Sequence, residues 1–273
     1  MCIVGADWCA LAVTLGVSPA GAVCGVPAFQ EAAYSGNGNF HNQPNAPYTN
    51  GSGRSGDFEY RIVICNQAFS DQMWWAYDFD AGNWNDGRGL ENFCDITKML
   101  GRTYTALQLL NYSEVQANQS TTWDDLSGSP LRWGGNYAHL SIDELDGVCT
   151  WPGASATTVR GLDDYTNLYK GFVYGAGISA RAAILVHEAR HASGVSHDGN
   201  SGSQRCYAGG DSCDETFTWN TSSGKANSYD IYFANDFYFR GQYTNTWSKQ
   251  MAKDRVNYML HNRFDVPTPY RIP

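Results

Sequence analysis

The sequence predicts an α+β fold, and three observations point to it. Glu59-Tyr-Arg-Ile-Val-Ile-Cys65 alternates into an apolar run, as a strand does. Ile96–Leu110 places apolar residues at Ile96, Leu100, Leu107 and Leu110, a helical recurrence interrupted by Gly101. Ile178-Ser-Ala-Arg-Ala-Ala-Ile-Leu-Val186 is a run of good helix formers with no proline. A chain of 273 residues can bury one sizeable core. We read residues 58–273 as that domain and residues 1–57 as an N-terminal arm or linker.

Taken in order, the arm comes first. No Lys or Arg precedes Arg54, so the basic start of a signal peptide is missing, although Ala10–Val17 is mostly apolar and Ala20-Gly-Ala22 resembles a cleavage site. An arm pinned by Cys2, Cys9 or Cys24 is preferred over a targeting segment or a propeptide. Residues 32–56, rich in Gly, Asn and Pro, read as an extended loop before the Glu59–Cys65 strand. Asp78-Phe-Asp-Ala-Gly-Asn-Trp-Asn-Asp-Gly87 clusters oxygen ligands for calcium, but Gly82 and Gly89 occupy two liganding positions of the EF-hand register, and a plain turn is the preferred reading. Leu131–Ile142 and Thr157–Arg160 read as strands, one of which can line a cleft and pair with an extended peptide. In the helix that begins near Ile178, Ser179 is a candidate N-cap. Leu185, Ala189 and Ala192 fall on a core side of that helix, and Ile184, His187, Glu188 and His191 on a cleft side. Thr246–Arg263 reads as a closing helix, which Pro267 and Pro269 prevent from continuing.

Charge and cysteine usage narrow the function classes. A net charge of −9 without any Lys/Arg-rich run argues against nucleic acid or an anionic membrane as partner. No apolar stretch is long enough to span a bilayer, and no feature specifies an oligomer. Eight cysteines without a C-x-x-C pair suit an oxidising, extracellular setting, with Cys206–Cys213 the expected disulfide. Asn50, Asn111, Asn118 and Asn220 begin glycosylation sequons.

The chemistry is concentrated in His187-Glu-Ala-Arg-His-Ala-Ser-Gly-Val-Ser-His-Asp-Gly199, which spells H-E-x-x-H-x-x-G-x-x-H. On a helix, His187 and His191 lie on one face a turn apart and can share an ion. Gly194 can adopt the left-handed conformation that ends a helix, and the turn returns His197 as third ligand. Three imidazoles on zinc leave the fourth tetrahedral position for water, the arrangement of a catalytic rather than a structural site. Glu188, next to a ligand but not one itself, suits a general base. With six His, seven Glu and 29 Gly in the chain, the motif is expected by accident only on the order of 10⁻⁵ times. His41, His139 and His261 are isolated and read as surface or hydrogen-bonded histidines, and Arg190 as the ion-pair partner of an acid such as Asp198.

These residues resemble the metzincin zinc metallopeptidases: His187, Glu188, His191, Gly194 and His197 match the extended motif position by position, and Asp198 resembles the adamalysin-type subgroup. The resemblance covers residues 178–199. It implies a mixed sheet with a backing helix, a zinc helix at about 179–193 and a small C-terminal subdomain ending in a helix. It further implies one catalytic zinc and endopeptidase activity on a protein or peptide substrate. The methionine that metzincins hold in a turn beneath the metal has no counterpart between Met99 and Met251. Asn227-Ser-Tyr-Asp-Ile-Tyr-Phe-Ala234 is the candidate floor in its place, carrying Tyr229 or Tyr232 toward the metal, with Tyr229 as the candidate oxyanion donor. Two alternatives stand beside this reading. One is a zinc-containing binding module without proteolysis, and the other is a zinc amidase acting on cell-wall peptide.

Overall fold

The computed structural model describes residues 67–84, 93, 98–112, 131–150, 152, 154–161, 164–172, 177–199, 206, 212–241, 246–266 and 268–273. The N-terminal arm and the Glu59–Cys65 strand lie outside these. The described part is mixed α+β, with six helices and one small sheet. In chain order the elements are α1 (Gln67–Ala76), α2 (Met99–Tyr112), α3 (Trp133–Ser141), β1 (Glu144–Gly147), β2 (Ala156–Val159), β3 (Tyr165–Leu168), α4 (Ile178–Ala192), α5 (Ala226–Arg240) and α6 (Thr246–Asn262). The three strands are ordered β1-β3-β2; β1 runs parallel to β3, and β2 antiparallel to it with Thr158 opposite Thr166. Among the described residues no helix is long and apolar enough to cross a membrane.

The motif helix α4 is the centre of the assembly, touching α2, α3, α5, α6 and β2. Its faces divide as the sequence predicts. Leu185 and Ala189 are fully buried in the core, while Ile184, His187, Glu188 and His191 line a cleft. Its start differs from expectation. Gly177 is the N-cap and the helix begins at Ile178, so Ser179 sits inside the first turn with its hydroxyl buried rather than capping. Its end is a Schellman motif: Gly194 (φ +95°) donates to His191 O at 2.8 Å and Val195 donates to Arg190 O at 3.2 Å. That turn redirects the chain immediately before His197.

One strand assignment is overturned. Leu131–Ile142 does not form a strand; it contains the helix α3, whose buried positions Gly134, Gly135 and Ala138 share one helical face, with buried Leu131 and Ile142 flanking it. Close packing explains it. A Cβ on Gly134 would meet Phe233 at 2.6 Å, and one on Gly135 would meet Asn111 at 2.7 Å, so the two glycines let α3 press against α5 and α2. Tertiary contact overrides the poor helix propensity of a Gly-Gly pair. Thr157–Arg160, by contrast, overlaps β2, and the helical reading of Ile96–Leu110 is met by α2 from Met99 onward, with Ile96 outside the described residues. Asn111, the second sequon, is buried near the end of α2 with its amide donating to Leu107 O at 2.6 Å, which leaves it no room for a glycan in the folded state.

Candidate metal centre

Three imidazoles meet at one point. The Nε2 of His191 lies 3.2 Å from the Nε2 of His187 and 3.2 Å from that of His197. Among the described residues this is the group of three or more His, Cys, Asp or Glu whose ligand atoms converge closely enough to hold a metal ion. The far nitrogens explain how the rings are aimed. His191 Nδ1 is 2.8 Å from Val195 O, and a carbonyl only accepts, so the proton sits on Nδ1 and the Nε2 lone pair faces inward. His197 Nδ1 is 2.8 Å from Asp214 Oδ1, which fixes the same tautomer through a carboxylate. His187 Nδ1 faces Asp230 at 3.9 Å, beyond hydrogen-bond range but within that of charge. Burial, followed by the neighbouring imidazoles and then by Arg255 and Arg263, pushes the His187 pKa well below its usual value. Burial and His197 lower that of His191. Neutral imidazoles with inward lone pairs repel one another at 3.2 Å and are the form that binds metal, so the donor set fits a divalent cation.

The supporting residues come from distant segments, and several were invisible in the sequence. Asp214 is fully buried, and its second oxygen accepts from the backbone N–H of Asn227 at 3.2 Å. Its own backbone is tied to Arg263 O and to Asp265 N, which locks it to the end of α6. The predicted Cys206–Cys213 disulfide is present, with Cα atoms 6.1 Å apart, and ends directly before Asp214. That adjacency is the one sequence signal that places an acid near His197. Asp230, 1% exposed, is gripped by the Arg255 guanidinium through both oxygens, with Nε at 2.7 Å from Oδ1.

Glu188 faces the same cleft and is 4% exposed. Its Oε2 accepts from the Thr158 hydroxyl at 2.9 Å, and Thr158 in turn pairs with Thr166 at 2.9 Å across the β2–β3 register. Burial, reinforced by Asp230 and opposed by the Thr158 hydrogen bond, pushes the Glu188 carboxyl up to about 7. The cleft holds about 1100 Å³, with the motif helix at its floor, β2 along one wall and Arg255, Tyr258, Met259 and Arg263 along another.

The candidate floor Asn227–Ala234 does lie against the triad, but as the helix α5, and it presents a different face. Asn227 and Asp230, three residues apart, point toward the histidines. Tyr229 and Tyr232 do not. The Tyr229 hydroxyl donates to Thr221 O at 2.8 Å, its ring lies beneath the Arg190 guanidinium, and it is not among the residues that line the cleft. Tyr232 donates to Thr218 O. Arg190 accordingly does not pair with Asp198; it donates to Gly224 O at 2.8 Å, and Asp198 is held by Lys225 at 2.7 Å. The methionine in the cleft wall is Met259, supplied by α6. In the calcium candidate, Asp80 caps Gly82 at 2.8 Å and Asn83 donates to Asp146. No three acidic side chains of that region converge on one point among the described residues, and Asn85–Gly87 lie outside them. His139 is hydrogen-bonded to Ala76 O at 3.1 Å, as its isolation suggested.

No family model, curated protein or solved structure matches this chain.

Proposed function

We propose that this chain is a zinc-dependent endopeptidase of metzincin-like type. The observation that carries the reading is the convergence of three inward-facing imidazoles and Glu188 in one open cleft beside an edge strand. Zinc is favoured by the donor set. Two nitrogens bound to it at about 2.0–2.1 Å and tetrahedral angles stand roughly 3.3–3.4 Å apart, close to the 3.2 Å between the Nε2 pairs here. When bound, zinc polarises a substrate carbonyl and lowers the pKa of a coordinated water.

The chain's own residues supply the rest. His187, His191 and His197 hold the ion, and Val195 O and Asp214 keep the rings of His191 and His197 from rotating. Glu188, steered by Thr158 through Oε2, accepts the proton of the attacking water and passes it to the departing amine. Among the described residues the β2 strand pairs with β3 on one side only, and Ala156, Thr157 and Thr158 line the cleft. An extended peptide can add to the open side of β2 by main-chain hydrogen bonds, which brings a scissile bond across the floor. The Cys206–Cys213 bridge fits an extracellular protein.

The test combines metal analysis with Glu188→Gln. The parent protein is expected to retain one zinc and to cleave casein. The variant is expected to retain the zinc and to lose at least about a hundredfold in rate, the usual contribution of a positioned base. Equal rates would remove Glu188 from its role. Zinc retained without cleavage of any protein or peptide would favour the binding module or the cell-wall amidase.

A further inference from the structure

Three arginines line the cleft, and they are not equivalent. Arg255 is neutralised by the buried carboxylate of Asp230. Arg160 and Arg263 have no carboxylate partner among the described residues. Arg160 follows the edge strand β2 and is exposed; its Nη1 lies 3.2 Å from the Cβ position of Gly194, over the turn between His191 and His197. Arg263 follows α6 on the other wall. It donates from Nη1 to Ser212 Oγ at 2.8 Å, and its Nε is buried without a partner. The acids of the cleft do not answer these charges: Asp198 is held by Lys225, and Glu188 is turned into Thr158. Two guanidinium groups without a carboxylate partner among the described residues therefore flank the histidines of a chain whose net charge is −9.

A guanidinium fork matches a carboxylate in shape and charge, and its charge persists at any physiological pH. Resting on the peptidase reading, we propose that Arg160 and Arg263 form a carboxylate-binding subsite, so that the preferred substrate carries a carboxylate close to the scissile bond. That carboxylate comes from an acidic side chain or from the C-terminus of the peptide. Ser212 holds the Arg263 fork in place, while Arg160 closes over the bound group from the β2 side.

The test uses zinc-loaded full-length protein and three quenched-fluorescence peptides. One has Glu beside the scissile bond and an amidated C-terminus, the second has Gln in place of Glu, and the third is the Gln peptide with a free C-terminal carboxylate near the bond. A carboxylate-bearing peptide is expected to exceed the Gln amide in kcat/KM by roughly tenfold or more, the usual worth of a hydrogen bond to a charged group. Whether the first or the third peptide is preferred identifies the source of the carboxylate. In Arg160→Gln and Arg263→Gln this preference ratio is expected to fall severalfold or more. Arg160 is exposed, so its variant remains informative if Arg263→Gln folds poorly. Equal kcat/KM for all three peptides, or a ratio unchanged in both variants, overturns the subsite. Calorimetric binding of the same peptides to Glu188→Gln separates the two readings. Carboxylate-dependent binding without cleavage by the parent keeps the subsite and rejects the peptidase, whereas cleavage without carboxylate preference does the reverse.

Discussion

Two groups of carboxylates in this molecule use the same residue types in opposite ways. Around the imidazoles, each acid has a donor or a cation: Asp214 takes His197 and the Asn227 amide, Asp230 takes Arg255, and Asp198 takes Lys225. At β1, Asp146 accepts from the Asn83 amide and Asp80 from the Gly82 N–H, but Glu144 has Asp146, Asp78 and Asp80 as its charged neighbours and no cation among the described residues. Asp214 and Asp230 are almost wholly buried; Asp214 bonds to the His197 ring, and Asp230 faces His187 at 3.9 Å. The β1 acids are more open, and burial together with mutual repulsion raises Glu144 to about 7. Burial depth alone does not decide what an acid does here. Its nearest partner does, and the contrast can be tested by removing partners one at a time.

The largest effect is expected at Asp230. Asp230→Ala leaves the guanidinium of Arg255, 19% exposed, without its counter-charge beside His187. Breaking a largely buried pair from one side typically costs about 3–5 kcal/mol. Urea unfolding of the metal-free protein measures this directly. The double variant Asp230→Leu/Arg255→Met is expected to recover most of the loss, because neither charge is then stranded. A single variant as stable as the parent would show that the pair is idle.

Asp214 comes next, and its effect is read on the metal. Asp214→Ala removes the acceptor that orients His197, and such losses weaken metal binding by roughly 10–100-fold. Competition with a zinc chelator is expected to show that shift, while far-ultraviolet circular dichroism confirms that the variant still folds. A chelation midpoint equal to that of the parent would mean that the backbone of the Gly194 turn alone aims the third ligand.

These supports also mark the limit of what could be read from the chain. The helix, its left-handed end at Gly194, the three ligands and the Cys206–Cys213 bridge all depend on residues within about one element of each other, so spacing alone announces them. Asp230 lies 43 positions after His187 and depends on which face α5 turns toward α4. The sequence marks this segment as a floor and points to its tyrosines, whereas the fold turns Asp230 toward His187. Aromatic rings suggest proximity to a cleft, yet Tyr229 is drawn the other way by Arg190 and by the rings of Trp133 and Tyr137. Thr158 depends on a strand register that no local pattern encodes. The helix α3 is not legible from local sequence because Gly134 and Gly135 fit a helix only through Phe233 and Asn111, two partners from distant helices.

The smallest effect is expected at the β1 acids, and its sign follows from the direction of the shift. Glu144 titrates near 7 in the folded chain, raised by burial and then by Asp146, Asp78 and Asp80, against 4.5 when unperturbed. The folded state therefore binds this proton more tightly than the unfolded one. Its contribution to stability is present in full below about pH 4.5 and is lost as pH rises through 7. Glu144→Gln keeps the neutral form at every pH. The variant is expected to melt close to the parent at pH 4.5 and above it at pH 8, by a margin kept modest because the group is partly open to solvent. Melting curves of both proteins across that range test the claim. A difference that does not grow with pH would mean that the acids at β1 are as well compensated as those beside the histidines, and the contrast between the two regions would fail.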